Sequence, residues 1–320
     1  MKLNPVYKRE LTVASRSMRM ALIFMAFNGI LAVVALFNMF SVVEQVKVSA
    51  EIQYARFLEL YVFVSSIEFI MLMFIMPALT ASSISGERER QTLDLMMTTT
   101  MRPGQIVFGK LWSALTTLLL LVLSGIPVQS LVFVYGGVTV SDMGILIACY
   151  GAVALLAGGI GVFFSSLLKR STVATVCTYV TLIILVAGTY AVNIFSLKMS
   201  QNEINAYMST ITTVAKQATS GGAVYLLLLN PAITFYTMIN GQAGSGSART
   251  ALESWFGSQP DNFVINNWTL LSLLLQIVVA VAVIGAAVYV VTPIKHRNQG
   301  KKTEKLPRKR LRHLEPENQM

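Results

Sequence analysis

The chain has 320 residues, of which 54% are hydrophobic and only 12% are charged. Soluble proteins carry about 25% charged residues, so this chain has too few charges to give two soluble domains a solvated surface. The composition therefore favours an integral membrane protein. The two cysteines, Cys149 and Cys177, both lie in apolar stretches, which excludes a disulfide framework and a cysteine-rich metal site.

The first predicted element is a helix over residues 4–19 that lies on the membrane surface. Asn4 can cap this helix, and Pro5 suits its first position. Apolar and basic residues then fall on separate faces, as in helices that rest at a bilayer interface. We therefore expect an N-terminal interfacial elbow helix.

Six apolar stretches are long enough to cross a bilayer, which requires roughly 20 residues. The predicted spans are residues 20–43, 58–81, 108–135, 143–168, 171–196 and 267–292. The first is longer than the core of a signal peptide and follows a charged segment, so we predict a retained helix. The fold class is thus an all-α integral membrane protein, with one transmembrane domain over residues 1–294 and a basic tail over residues 295–320.

Glu68 is an unusual polar residue in the second predicted span. It lies about ten residues into the apolar stretch, or about 15 Å deep in a helix that rises 1.5 Å per residue. A charged carboxylate is costly at that depth. Glu68 either lines a path for substrate or protons, or holds neighbouring helices together as a protonated or paired carboxyl group.

Residues 82–110 form the only substantial loop between spans on the N-terminal side of the membrane. Four consecutive charged residues, from Glu87 to Arg90, follow the second span. Three apolar residues come next at the spacing i, i+3 and i+4: Leu93, Met96 and Met97. Such a segment is typical of a short amphipathic helix that docks into a partner's groove. The alternative is a solvated loop with ion pairs on a helix surface, such as Glu87 with Arg90.

The fourth predicted span carries glycines at a seven-residue interval: Gly144, Gly151 and Gly158. Small residues allow helices to approach closely in lipid. We predict that these glycines pack against another helix, either within the subunit or across a dimer.

The apolar stretch over residues 223–239 is short for a span, and Asn230-Pro231 interrupts it because proline disfavours helix in the preceding residue. With six spans, 20 of the 25 Lys and Arg residues lie on the side of the N-terminus. A seventh span would move the basic tail to the other side, against the positive-inside bias. We therefore predict an external re-entrant helical pair and two cytoplasmic termini.

Catalytic and nucleotide-binding motifs are not supported by the sequence. Gly104 to Lys110 matches most of a phosphate-binding loop, but Leu111 stands where Ser or Thr should hold magnesium, and no strand precedes it. Both histidines, His296 and His313, lie in the basic tail. We expect no catalytic residue, no cofactor and no metal on this chain, and no nucleic acid partner.

The segment from Ser83 to Lys110 closely resembles the loop between helices two and three of ABC-2-type transporter permeases. The residues that match the family pattern are Glu87, Arg88, Glu89, Thr92, Leu93, Ile106, Gly109 and Lys110. Three residues depart from it: Gln91 for glycine, Asp94 for glutamate and Thr100 for proline. The N-terminal helix, the exit of the third helix, the turn at 165–170 and the exit of the last helix also resemble the family, in the same order.

This resemblance implies a six-helix half-transporter in the cell membrane, surrounded by lipid, that forms a homodimer or a heterodimer with a related permease. It also implies a separate cytoplasmic ATP-binding subunit, which would carry the ATP and magnesium. The loop would contain a coupling helix that transmits ATP-driven movement. The coupling residues would be Glu87, Arg88, Glu89, Arg90, Thr92, Leu93, Met96 and Met97.

The leading hypothesis is therefore the permease subunit of an ABC exporter. One alternative is an ion-coupled secondary transporter that uses Glu68, and another is a membrane scaffold or sensor that transports nothing. The loop discriminates between them, because a secondary transporter needs no docking site for an ATPase. The sequence does not indicate the transported substrate.

Overall fold

The computed structural model of the protein describes residues 4–49, 54–97, 102–135, 137–208, 217–257 and 262–292. These residues form helices and connecting turns, and no strand occurs among them. The α-helices are α1 (Pro5–Ser15), α2 (Met18–Ser49), α3 (Tyr54–Thr80), α4 (Ser85–Glu89), α5 (Thr92–Met97), α6 (Pro103–Tyr135), α7 (Val140–Leu167), α8 (Ser171–Ile183), α9 (Thr189–Met208), α10 (Pro231–Gln242), α11 (Ser247–Phe256), α12 (Phe263–Asn266) and α13 (Trp268–Val291). The predicted basic tail lies outside the described residues.

Six helical stretches are long and apolar enough to cross a membrane, which confirms the predicted fold class. They are Met20–Ser41, Leu58–Glu89, Pro103–Ser130, Val140–Leu167, Ser171–Ala206 and Trp268–Val291. The fifth stretch comprises α8 and α9, which are joined by a π-helical turn at Ile184–Gly188. We call the end of the bundle that carries α1, α4 and the turn between α7 and α8 the loop end.

The N-terminal helix α1 begins as the sequence predicts. The Asn4 side chain accepts a hydrogen bond from the Val6 amide at 3.1 Å, and Pro5 occupies the first helical position. α1 packs directly on α6 at Gly109, where an added Cβ would lie 2.9 Å from the Cβ of Val6. This close approach fixes α1 against the loop end. Its position on a membrane surface stays a prediction.

Helix α7 is the most buried of the six stretches and packs against α3, α6, α8 and α13. Its close contacts occur near its C-terminal half, where a Cβ on Gly158 or Gly161 would overlap with side chains of α6 or α3. By contrast, Gly144 and Gly151 are exposed, and a Cβ on either would meet no atom within 4 Å. Of the three predicted glycines, only Gly158 therefore packs within the chain. Contacts of Gly144 and Gly151 across a dimer stay a prediction.

The end opposite the loop end carries a bent pair of helices, which we call the helical pair: a 3-10 helix at Gly221–Leu229 and α10. The two axes differ by 88°. The bend lies at Asn230, whose side chain caps α10 by accepting from two amides of its first turn. The predicted break at Asn230-Pro231 is thus confirmed, whereas the predicted re-entrant course through a membrane stays a prediction.

Candidate functional site

Helix α4 carries three of the four consecutive charged residues of the loop and is hydrogen-bonded to the C-terminal end of α7. Its two leading amides, on Ile84 and Ser85, donate to the Ser165 hydroxyl at 2.8 and 3.0 Å. The Arg88 guanidinium donates to the Ser166 carbonyl at 3.0 Å. Because the first amides of a helix lack partners inside the helix, the Ser165 hydroxyl acts as a cap supplied by another helix.

Helix α4 in turn supplies a cap for the N-terminal end of α8. The Glu89 carboxylate accepts from the Ser171 amide at 2.8 Å and from its hydroxyl at 2.7 Å. A carboxylate at this position satisfies a free amide and complements the positive end of the helix dipole. Helix α4 and the turn between α7 and α8 therefore cap each other's helix ends.

Glu87 connects α4 to the opposite side of the loop end. The Lys110 ammonium of α6 donates to the Glu87 carboxylate at 3.2 Å and to the Glu10 carboxylate of α1 at 3.1 Å. Lys110 is 7% exposed, and a buried cation of this kind requires such counter-charges. The Thr92 hydroxyl of α5 also donates to the Glu87 carboxylate and, at 3.1 Å, to its carbonyl.

We call this assembly the platform, and we define it as Glu10, residues 85–92, Lys110 and residues 165–171. Each residue of the triplet from Glu87 to Glu89 bonds to a different part of the chain. Glu87 bonds to Lys110 of α6, which also pairs with Glu10 of α1, whereas Arg88 bonds to the end of α7 and Glu89 to the start of α8. The charged loop is thus held in a fixed position by contacts within the chain, rather than being a freely solvated segment.

The other predicted coupling residues, and Gln91 between them, differ in their exposure. Arg90 and Gln91 are exposed, Thr92 and Met96 are half-buried, and Leu93 is buried in the core. The side chain of Met97 lies outside the described residues. The platform therefore presents Glu89, Arg90 and Gln91 at its surface, while Glu87 and Arg88 are half-buried.

Gln91 replaces the glycine of the family pattern, and its backbone conformation explains why glycine would suit this position. Its φ is +58°, the left-handed region, and no other non-glycine residue among those described has a positive φ. Glycine adopts this conformation without steric cost, whereas a residue with a Cβ does not. Gln91 thus adopts, at the end of α4, a backbone conformation that glycine would adopt without strain.

The segment that resembles a phosphate-binding loop, Gly104 to Lys110, lies inside helix α6. Its amides belong to the helix rather than to a loop that could surround a phosphate, and its lysine pairs with Glu10 and Glu87. Among the described residues, no group of three or more His, Cys, Asp or Glu side chains could hold a metal ion.

Glu68 lies in the interior of the bundle, apart from the platform, and has no exposed area. Its carboxyl group accepts from the Gln129 amide of α6 and from the Tyr150 hydroxyl of α7, the latter at 3.3 Å. Gly125 of α6 allows this close packing, since a Cβ there would lie 2.7 Å from a carboxyl oxygen of Glu68. In this arrangement Glu68 joins α3, α6 and α7.

Sequence reasoning missed four platform residues: Glu10, Ser165, Ser166 and Ser171. The signal that could have located them was the match of Lys8-Arg9-Glu10 and of the 165–170 turn to the family, together with the loop. Three segments that resemble the family, are far apart in sequence and are predicted on one side of a membrane are candidates for mutual contact. Lys110 was matched to the family, but its two partners could not be identified from spacing.

Comparison with known proteins agrees with these observations. No curated protein matches the chain. The sequence profile of the family described as "ABC-2 family transporter protein" matches residues 52–286, which is more than half of the chain and contains α4, α6 and the turn between α7 and α8. The six apolar helical stretches are those of a multi-pass membrane protein. The chain therefore belongs to the ABC-2 family of transporter proteins, as a membrane-spanning permease component.

Proposed function

We propose that this chain is the permease subunit of an ABC exporter, and that a separate ATP-binding subunit docks on the platform. The observation that carries the proposal is the bonding of Glu87, Arg88 and Glu89 to three different parts of the bundle. A force applied to α4 would reach α1, α6, α7 and α8 together. Transmission between distant sites needs contiguous, well-packed contacts of this kind.

The exposed side chains of the platform indicate which residues the ATP-binding subunit would contact. Because the triplet is occupied by contacts inside the chain, the partner would meet Arg90, Gln91 and the half-buried Met96 of the following helix. Changing Glu87 or Glu89 would therefore disturb the position of the platform rather than remove a direct contact. The charge distribution of the whole sequence supports a cytoplasmic platform, with both termini on that side of the cell membrane.

A permease of this kind would act as a dimer, formed either by two copies of this chain or with a related permease, and the ATP-binding subunit would carry the ATP and magnesium. Glu68 is proposed to hold three spans together, because its carboxyl group is wholly buried and bonded to α6 and α7. This supports a packing role more than a role on an ion path, which would require access to water or to a substrate.

Affinity purification from the native membrane tests the proposal. The wild-type chain should recover a soluble subunit that hydrolyses ATP, and Arg90→Glu should reduce that recovery because its exposed side chain lies on the docking face. Lys198→Glu is the matched control, since Lys198 is also exposed but lies on α9. Recovery of the chain alone, active in a proton-dependent flux assay, would instead support the secondary transporter. ATP-hydrolysing partners that no solute stimulates would support the scaffold.

A further inference from the structure

The fifth span connects the platform to the opposite end of the bundle. Helix α8 begins at Ser171, which Glu89 caps, and continues through the π-helical turn into α9. At the π-helical turn the span is bonded to the helical pair. The Asn230 side-chain amide donates to the Val186 carbonyl and to the Thr189 hydroxyl, both at 2.8 Å.

The Asn230 side chain bonds both to the fifth span and to α10. It is 1% exposed, and its amide nitrogen uses both hydrogens on the fifth span. Its side-chain oxygen accepts from the amides of Ala232 and Ile233, at 2.9 and 3.3 Å, and so caps α10. One side chain therefore joins the bend of the helical pair to an irregular turn in the middle of a span.

The fifth span has the smallest buried fraction of the six spans. Only 11% of its apolar segment is buried, compared with 72% for α7. A helix with so few internal contacts can shift without repacking the core, whereas α7 cannot. π-helical turns recur at functional sites, where they change the local direction of a helix.

We propose that the fifth span carries movement of the platform to the helical pair, and that Asn230 is the positioning residue that makes the connection. Glu89 joins the span to the platform at one end, and Asn230 joins the span to the helical pair near its middle. The inference rests on the proposed function, because the ATP-binding subunit supplies the movement. It adds that the bend of the helical pair responds to nucleotide through the buried side chain of Asn230, whereas the bonds of α9 to Ser220 hold the start of the pair.

Asn230→Ser separates this link from the capping of α10. Serine is a good N-cap and retains an acceptor for the first amides of the helix, but its shorter side chain lacks the amide hydrogens that reach Val186 and Thr189. Asn240→Ser is the matched control, because Asn240 lies on the same helix and, among the described residues, its side chain bonds to α10, the turn after it and the first residue of α11, not to the fifth span. Thr189→Val removes one of the two acceptors and should weaken the link partially.

The experiment uses the full chain in complex with its ATP-binding subunit in lipid nanodiscs, on a background in which Cys149 and Cys177 are replaced. Spin labels at two pairs of exposed positions report distances with and without a non-hydrolysable ATP analogue. The loop-end pair is Arg102 with Thr172, and the opposite pair is Val140 with Tyr225. ATP hydrolysis and thermal unfolding are measured on the same samples, so that misfolded variants are recognised.

In the wild type and in Asn240→Ser, both distances should change with nucleotide. In Asn230→Ser the loop-end distance should still change and ATP hydrolysis should persist, but the change between Val140 and Tyr225 should be lost. Retention of that change in Asn230→Ser, or its absence in the wild type while the loop end moves, would overturn the inference. Failure of the wild-type loop end to respond at all would refute the proposed function instead.

Discussion

Lys110→Met tests whether the platform depends on its buried cation. Methionine keeps the unbranched apolar stem but removes the ammonium group that pairs with Glu10 and Glu87. Side-chain exposure is 5% for Lys110, 16% for Glu87 and 30% for Glu10, so the two carboxylates would lose their counter-charge while still largely shielded from water. Without the ammonium group, the Glu10 and Glu87 carboxylates would also repel each other.

The expected loss in the free energy of unfolding follows from the burial of these three side chains. Breaking a fully buried pair costs about 3–5 kcal/mol, and the partial exposure of both carboxylates reduces this to about 2–3 kcal/mol here. Equilibrium unfolding of the purified chain in mixed micelles measures the free energy of unfolding. Lys169→Met is the matched control, because Lys169 is exposed at the same end of the bundle and should change this free energy little.

A double-mutant cycle makes the test specific. Glu87→Gln in the Lys110→Met background removes one of the two unpaired charges and should recover part of the lost stability, which is a strongly non-additive result. The reasoning would be refuted if Lys110→Met matched the Lys169→Met control, or if the effects of Lys110→Met and Glu87→Gln simply added.

Three further predictions are tested by the same unfolding experiment. Gly161→Ala should lower the free energy of unfolding by about 1–3 kcal/mol, because its Cβ would overlap with Thr80, whereas Gly151→Ala meets no atom within 4 Å and should not destabilise the chain. Gln91→Gly should raise it by about 1 kcal/mol by relieving the left-handed backbone, and a decrease would contradict that explanation. Ser165→Ala should lower it by about 2 kcal/mol, since two amides lose their acceptor, and an unchanged value would show that the cap contributes nothing.

Features that depend on one stretch of sequence could be predicted well. The six spans follow from apolar stretches of sufficient length, and the start of α1 follows from Asn4 and Pro5. The bend of the helical pair follows from Asn230-Pro231, because proline disfavours helix in the residue before it. Each of these signals is local, so no knowledge of tertiary contacts was needed.

Features that depend on distant segments could not be predicted. Ser165 and Ser171 are ordinary small polar residues in sequence. Ser165 caps α4, and Ser171 is capped by Glu89, only because α4 lies beside the turn between α7 and α8. The seven-residue glycine pattern in α7 likewise does not show which glycine meets which span. Gly158 packs against α3 and α6, while a Cβ on Gly144 or Gly151 would meet no atom of the described residues within 4 Å, since what lies opposite a residue is decided by the neighbouring spans.

Site-specific photo-crosslinking tests the central claim most directly, namely that an ATP-binding subunit docks on the platform. A photoreactive amino acid replaces Arg90, which is exposed on the platform, or Lys198, which is exposed on α9. The account predicts a crosslink from position 90, and none from position 198, to a soluble protein that hydrolyses ATP. A crosslink to that protein from position 198 alone, or none from position 90 when the ATPase co-purifies, would contradict it.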